Sequence, residues 1–159
     1  MKSIRSFFIC LIFLTISFSC FAADDLALTS AQINELKLKY EKVHISQAQD
    51  LTFSCYLNNI ANFDHTGIYI NLKIVDENND TIYDYNTLSK TVLALSLDTI
   101  NILSPFSAPQ SGNYTFIFKM FQDMQDAIPN NNVITKEITV DSYDFQRDNG
   151  MMYSTNSWA

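Results

Sequence analysis

The stretch Leu51-Thr52-Phe53-Ser54-Cys55-Tyr56-Leu57-Asn58 decides the fold class. Apolar side chains fill the odd positions, and polar or amphipathic ones fill the even positions. Successive side chains on a strand point to opposite faces, so a period of two predicts a half-buried strand. The same alternation recurs along the chain. Ile68, Ile70, Leu72 and Ile74 form one inward row. Tyr114, Phe116, Phe118 and Met120 form another, and Ile134, Ile138 and Val140 close the sheet. Leu93, Leu95 and Leu97 repeat the period, with Ile100 and Ile102 extending it.

Turn chemistry separates these runs. Asp76-Glu77-Asn78-Asn79-Asp80 reads as a turn, because such side chains bond their own backbone and tolerate left-handed conformations. Thr81 to Tyr85 returns from it, so residues 68–85 read as a hairpin. Asn58 to Gly67, Ser104 to Gly112 and Gln122 to Asn132 read as connecting loops. Nearer the N-terminus, Leu36, Leu38 and Tyr40 alternate with Lys37, Lys39 and Glu41, which predicts a first strand over residues 34–45. A helix over 29–43 is the rival there. Thr29 and Gln32 make a capping box, and Ile33, Leu36, Tyr40 and Val43 share a helical face.

About seven short strands without alternating helices predict an all-β, antiparallel sandwich. A parallel α/β sheet would need continuous apolar strands and crossover helices. The sandwich is expected over residues 34–140. A lead-in over 23–33 precedes it, and a polar tail over 141–159 follows.

Two segments resemble an immunoglobulin-like or fibronectin type III-like domain. Leu51-Thr-Phe-Ser-Cys55 is similar to the second strand of such a domain, with Cys55 at the first core cysteine position. Ser111-Gly112-Asn113-Tyr114-Thr115-Phe116 is similar to the entry of the sixth strand. The resemblance implies that Tyr114 is the tyrosine-corner residue, its hydroxyl bonding back to the preceding connection. Phe116 stands where the second cysteine belongs, and no Trp marks the third strand, so the disulfide of the pattern is absent. Phe53, Cys55, Tyr114 and Phe116 are the expected core. The resemblance also implies an adhesion, assembly or inhibitor module of an exported bacterial protein.

Residues 1–22 read as an export signal. Lys2 and Arg5 precede a 12-residue apolar run from Phe7 to Phe18, and Cys20-Phe21-Ala22 places small side chains for cleavage after Ala22. The run is too short to span a bilayer. Ser17-Phe18-Ser19 makes a poor lipobox before Cys20, so a lipid anchor at Cys20 is not expected. The expected location is periplasmic or extracellular.

Removing Lys2 and Arg5 leaves 8 basic against 17 acidic residues, a net charge of −9. That field repels phosphate backbones and anionic lipid, so no nucleic-acid partner is expected. No transmembrane segment is expected in the mature chain. Cys10 and Cys20 leave with the signal, so Cys55 cannot form an internal disulfide. Abundant Asn, Ile and Lys accord with a bacterial source with an AT-rich genome.

No constellation marks a catalytic or metal site. Cys55 and His65 could form a thiol–imidazole pair, but Cys55 shares its face with Leu51, Phe53 and Leu57 and reads as core. Residues 76–80 match D-x-[DN]-x-[DN], yet Thr81 and Thr87 replace the Gly and Glu that a calcium loop needs. His44 and His65 are the only histidines and cannot supply a three-His zinc site. Three glycines in the chain leave no phosphate loop. No cofactor is expected.

The remaining contact candidates are apolar residues in polar segments. Phe106 sits between Pro105 and Pro109. Met124, Ala127, Ile128 and Pro129 interrupt a polar loop. Met151, Met152, Tyr153 and Trp158 punctuate the tail, which could add to a partner's sheet edge or groove. The expected function is an exported, non-catalytic protein-binding module in a cell-envelope or surface assembly, its partner another envelope protein or a second copy. The alternative is a carbohydrate or small-ligand binder using Tyr56 and Tyr69. A hydrolase with an unmarked site is the remaining reading.

Overall fold

A computed structural model of the chain describes residues 25–36, 42–124 and 128–142. The expected signal peptide lies outside these residues. They build two sheets packed face to face. The first has three strands, in the order β1 (Leu26–Ile33), β3 (Leu51–Asn59), β7 (Ser96–Phe106). The second runs β2 (Lys42–His44), β9 (Val133–Asp141), β8 (Gly112–Phe121), β4 (His65–Val75), β5 (Thr81–Asn86). β6 (Lys90–Val92) pairs with the start of β4. Every pairing is antiparallel except that of β2 with β9. This is the expected immunoglobulin-like sandwich, with nine strands among the described residues where about seven were expected, two of them only three residues long.

The inner faces carry the alternating rows. Leu51, Phe53, Cys55 and Leu57 of β3 and Ile68, Ile70, Leu72 and Ile74 of β4 are fully buried. Phe53 lies across from β8, its ring centroid 5.7 Å from that of Phe116 and 5.8 Å from that of Phe118. Aromatic pairs at such tilts and distances are favoured over flat sandwiches by the ring quadrupole. Aromatic packing therefore fills the place of the disulfide. Cys55 is a free, buried thiol.

The Tyr114 hydroxyl donates to the Gln110 carbonyl at 2.7 Å, which forms the tyrosine corner implied by the resemblance. It fastens the β7–β8 connection to the sandwich. Burial pushes the Tyr114 phenol above its usual range, and the Asp76 and Glu77 carboxylates add to the effect.

Two expected strands come out differently. The N-terminal strand is β1, at residues 26–33, where a lead-in was expected. In place of a helix from 29 or a strand from 34, residues 29–33 belong to β1, Asn34 and Glu35 bend and β2 covers 42–44; residues 37–41 lie outside those described. β1 itself carries a register shift between Leu28 and Ser30. Leu26 and Leu28 face inward, and after the shift so do Ala31 and Ile33. An inserted residue of this kind breaks the period of two. The two capping-box side chains instead serve the sheet. Thr29 Oγ1 donates to the Tyr56 carbonyl at 3.0 Å, and Gln32 Oε1 accepts from the Tyr56 hydroxyl at 3.3 Å.

The second correction concerns β7. Its buried residues are Ile100, Ile102 and Phe106, whereas Leu93, Leu95 and Leu97 point to solvent. The leucines occupy odd positions and the isoleucines even ones, so one strand cannot turn both sets inward.

Candidate interaction site

The outward leucines sit at one end of the sandwich, where the β6–β7 turn meets the β3–β4 connection. Asn59, almost completely buried, joins the two. Its Nδ2 donates to the carbonyls of Phe63 at 3.0 Å and Leu93 at 2.9 Å, and its Oδ1 accepts from the Ala61 amide at 2.9 Å. The Leu95 amide donates to the Ala61 carbonyl at 3.0 Å, and the Ala94 amide to Asp64 Oδ1 at 2.8 Å. Ser96 Oγ donates to the Leu93 carbonyl at 2.6 Å. The backbone of this tip is therefore held from both sides.

Its side chains are not covered. Leu93 is 62 % exposed, Leu95 72 %, Leu97 79 %, and neighbouring Ile60 47 %. Single exposed leucines are ordinary; three within five residues on a pinned turn are a candidate contact surface. Leu95 adds a second signal. Its φ is 51°, in the left-handed region. A branched side chain there costs about 1 kcal/mol or more, which glycine would avoid. The chain keeps a large apolar group at a backbone position that favours Gly or Asn. Such strain is characteristic of functional sites.

Access by the strand edge is restricted. β7 is an edge strand. Asp98 Oδ1 accepts from the Thr99 amide at 2.6 Å, while Lys90 Nζ reaches the Thr99 carbonyl at 3.4 Å and pairs with Asp98 at 2.7 Å. Pro105 lies further along. Charges and Pro are devices that blunt an edge against strand addition. The exposed side chains, not the backbone edge, are what this end offers.

The expected contact residues divide. Phe106 is 4 % exposed. Its ring packs against Tyr83 at 5.7 Å, Phe116 at 5.9 Å and Tyr114 at 6.0 Å, so it is a core residue and not a surface contact. An edge strand tolerates Pro105, and β7 runs through it, turning Phe106 inward. Met151, Met152, Tyr153 and Trp158 lie outside the described residues. Phe53, Cys55, Tyr114 and Phe116 are all buried. Tyr56 and Tyr69 cannot share a ligand, because they lie on outer faces of different sheets. Tyr56 is on β3, while Tyr69 is on β4, stacked on Phe121 at 5.0 Å.

The chemical candidates are accounted for by structure. Burial pushes the Cys55 thiol up to about 12, so the thiolate is not available near neutral pH. Asp76 Oδ1 accepts from the amides of Asn78 and Asp80, each at 2.9 Å, and Asn79 takes a φ of 65°. The Asp80 amide leads the bonds that hold the Asp76 carboxyl below its usual range. This is a hairpin turn whose carboxylate is committed to its own backbone. Among the described residues no group of three or more His, Cys, Asp or Glu could hold a metal.

The sandwich and its tyrosine corner define the class, an immunoglobulin-like β domain. Solved structures agree on the fold. The chain is similar to the solution structure of a CARDB domain from Pyrococcus furiosus, with a TM-score of 0.50 and 15 % identity, covering 75 % of this chain and 96 % of that one. It is equally similar to the crystal structure of that domain in complex with di-metal ions, at a TM-score of 0.50 and 15 % identity over 77 % and 97 % of the two chains. A likeness to a family 123 glycoside hydrolase from Clostridium perfringens has a TM-score of 0.45 and covers 28 % of that chain. No family model matches the sequence, and no curated protein matches it.

Proposed function

We propose that this protein is an exported, non-catalytic protein-binding module of a cell envelope or surface, and that it engages its partner through Leu93, Leu95 and Leu97. The observation that carries the reading is Leu95. A large apolar side chain is kept exposed at a left-handed position on a hydrogen-bonded turn. Folding alone gives no reason for it; capture of an apolar partner surface does. Asp64 flanks the leucines, Asp98 is paired with Lys90, and the chain as a whole is acidic, so an anionic lipid surface or a nucleic acid is a poor match. An uncharged or basic protein surface is a good one. The export signal read from residues 1–22 supplies the compartment.

The test compares proteins retained from the native host's envelope fraction by the mature chain and by Leu95→Asp. Wild type should retain a defined partner that the variant loses, with both chains equally folded. Equal retention would remove the tip from the account.

A further inference from the structure

The outer face of the three-stranded sheet carries no charged side chain. Residues opposed in an antiparallel pair point to the same side. Tyr56 of β3 lies between Ser30 of β1 and Thr99 of β7, and Ser54 lies between Gln32 and Asn101. Asp98 is registered on inward-facing Leu57 and is paired with Lys90 at the edge. At the Thr52 end, Glu35 accepts from the Thr52 amide and hydroxyl, each at 2.7 Å. The outer face of the other sheet differs. There Lys73 lies opposite Asp84, and Lys119 and Glu137 stand exposed.

Hydrogen bonds hold the polar groups of the uncharged face in place. The Tyr56 hydroxyl donates to Gln32 Oε1 at 3.3 Å. Ser54 Oγ lies 2.9 Å from the amide oxygens of both Asn34 and Asn101, and Asn34 Nδ2 donates to Thr52 Oγ1 at 2.9 Å. Side chains already ordered lose little freedom on making a contact. Tyr56 stands exposed in the middle. Absence of charge around an exposed Tyr is the compositional mark of an interface core.

We infer that two copies of this chain pair through this face, sheet on sheet, about a two-fold axis between Tyr56 and Ser54. Charge selects the occupant. A site for an unrelated partner of an acidic chain gains from carboxylates that meet a basic surface. A second copy carries the same 17 acidic and 10 basic residues, so two copies meet best where charge is absent. A two-fold contact must also be complementary to itself. Hydroxyl and amide groups meet that condition, because each kind both donates and accepts. Three strands with four outward positions each make a face of about 15 by 25 Å. That is small for an interface, so the dimer is reversible. The contact is independent of the leucine tip, and Leu97, which borders both, is left unchanged in the test.

The test is sedimentation velocity on the mature chain. Wild type should pass from monomer to dimer as concentration rises and go no further. Tyr56→Glu and Tyr56→Lys each set like charges against one another across the axis, and each should weaken dimerisation by about a hundredfold or more. Mixed in equal amounts, the two should form a heterodimer. Asn101→Asp, which keeps the shape of the side chain and so the fold, should also weaken the dimer, whereas Lys119→Glu on the other sheet should not. A monomer at every concentration overturns the inference, as do Tyr56 variants that dimerise like wild type or a mixture without heterodimer. Loss of the dimer in Leu95→Asp would overturn it too and move self-association to the tip. If the dimer forms and Leu95→Asp still retains the envelope partner, the tip fails as a partner site and the inference stands.

Discussion

The hydroxyl of Tyr114 donates to the carbonyl of Gln110, four residues earlier, at 2.7 Å. This bond closes the turn from one sheet to the other. It also satisfies a phenol that is nearly buried against Phe106. Tyr114→Phe leaves the ring packing and removes the bond. The expected loss is about 1–2 kcal/mol, seen as a lower urea midpoint with an unchanged slope.

Leu95 is held at a φ of 51°. Leu95→Gly relieves that backbone at the expense of the exposed side chain. It should raise stability by about 1 kcal/mol, or a few degrees of Tm. The same variant should bind its partner less well. Opposite signs in the two measurements separate a functional residue from a structural one. A fall in Tm would mean that Leu95 supports the fold after all.

Cys55 sits in the centre of β3 with its thiol pushed up to about 12 by burial. The native protein should resist alkylation near neutral pH, and unfolding in urea should expose the thiol to rapid labelling. Phe53→Ala, which opens a cavity beside Phe116 and Phe118, should cost about 3–5 kcal/mol and make Cys55 react sooner on denaturant titration.

The Asp76 carboxyl is held below its usual range, with the bond from the Asp80 amide the largest cause. A group lowered in the folded state contributes stability above its unfolded pKa. That contribution fades as pH falls through the folded value. Asp76→Asn keeps a side-chain acceptor for the turn but does not titrate. The variant should lose part of the acid-side decline in Tm that the wild type shows, and an unchanged acid limb would assign that decline to other groups.

The strands that were legible in the sequence are those with one unbroken phase. β3 from Leu51, β4 from Ile68 and β8 from Tyr114 bury every second side chain, so the apolar row carries over directly into burial. β1 was hidden by one register shift, which moves Ala31 and Ile33 onto the phase opposite to Leu26 and Leu28. The tip was hidden for a related reason. Leu93, Leu95 and Leu97 have the hydrophobicity of a core row, and nothing in their composition says which side they face. The signal that could have exposed them is the change of phase before Ile100 and Ile102. Phe106 erred in the other direction, because Pro105 reads as loop and an edge strand accommodates it.

Partner binding at the tip requires that Leu95 touch the partner protein. A photo-activatable phenylalanine analogue at position 95, introduced in the native host, tests it most directly. Exposed Thr81, on β5 of the other sheet, is the control position. A discrete cross-linked protein adduct is expected from position 95 and none from position 81. No adduct at 95, or the same adduct at both positions, would contradict it.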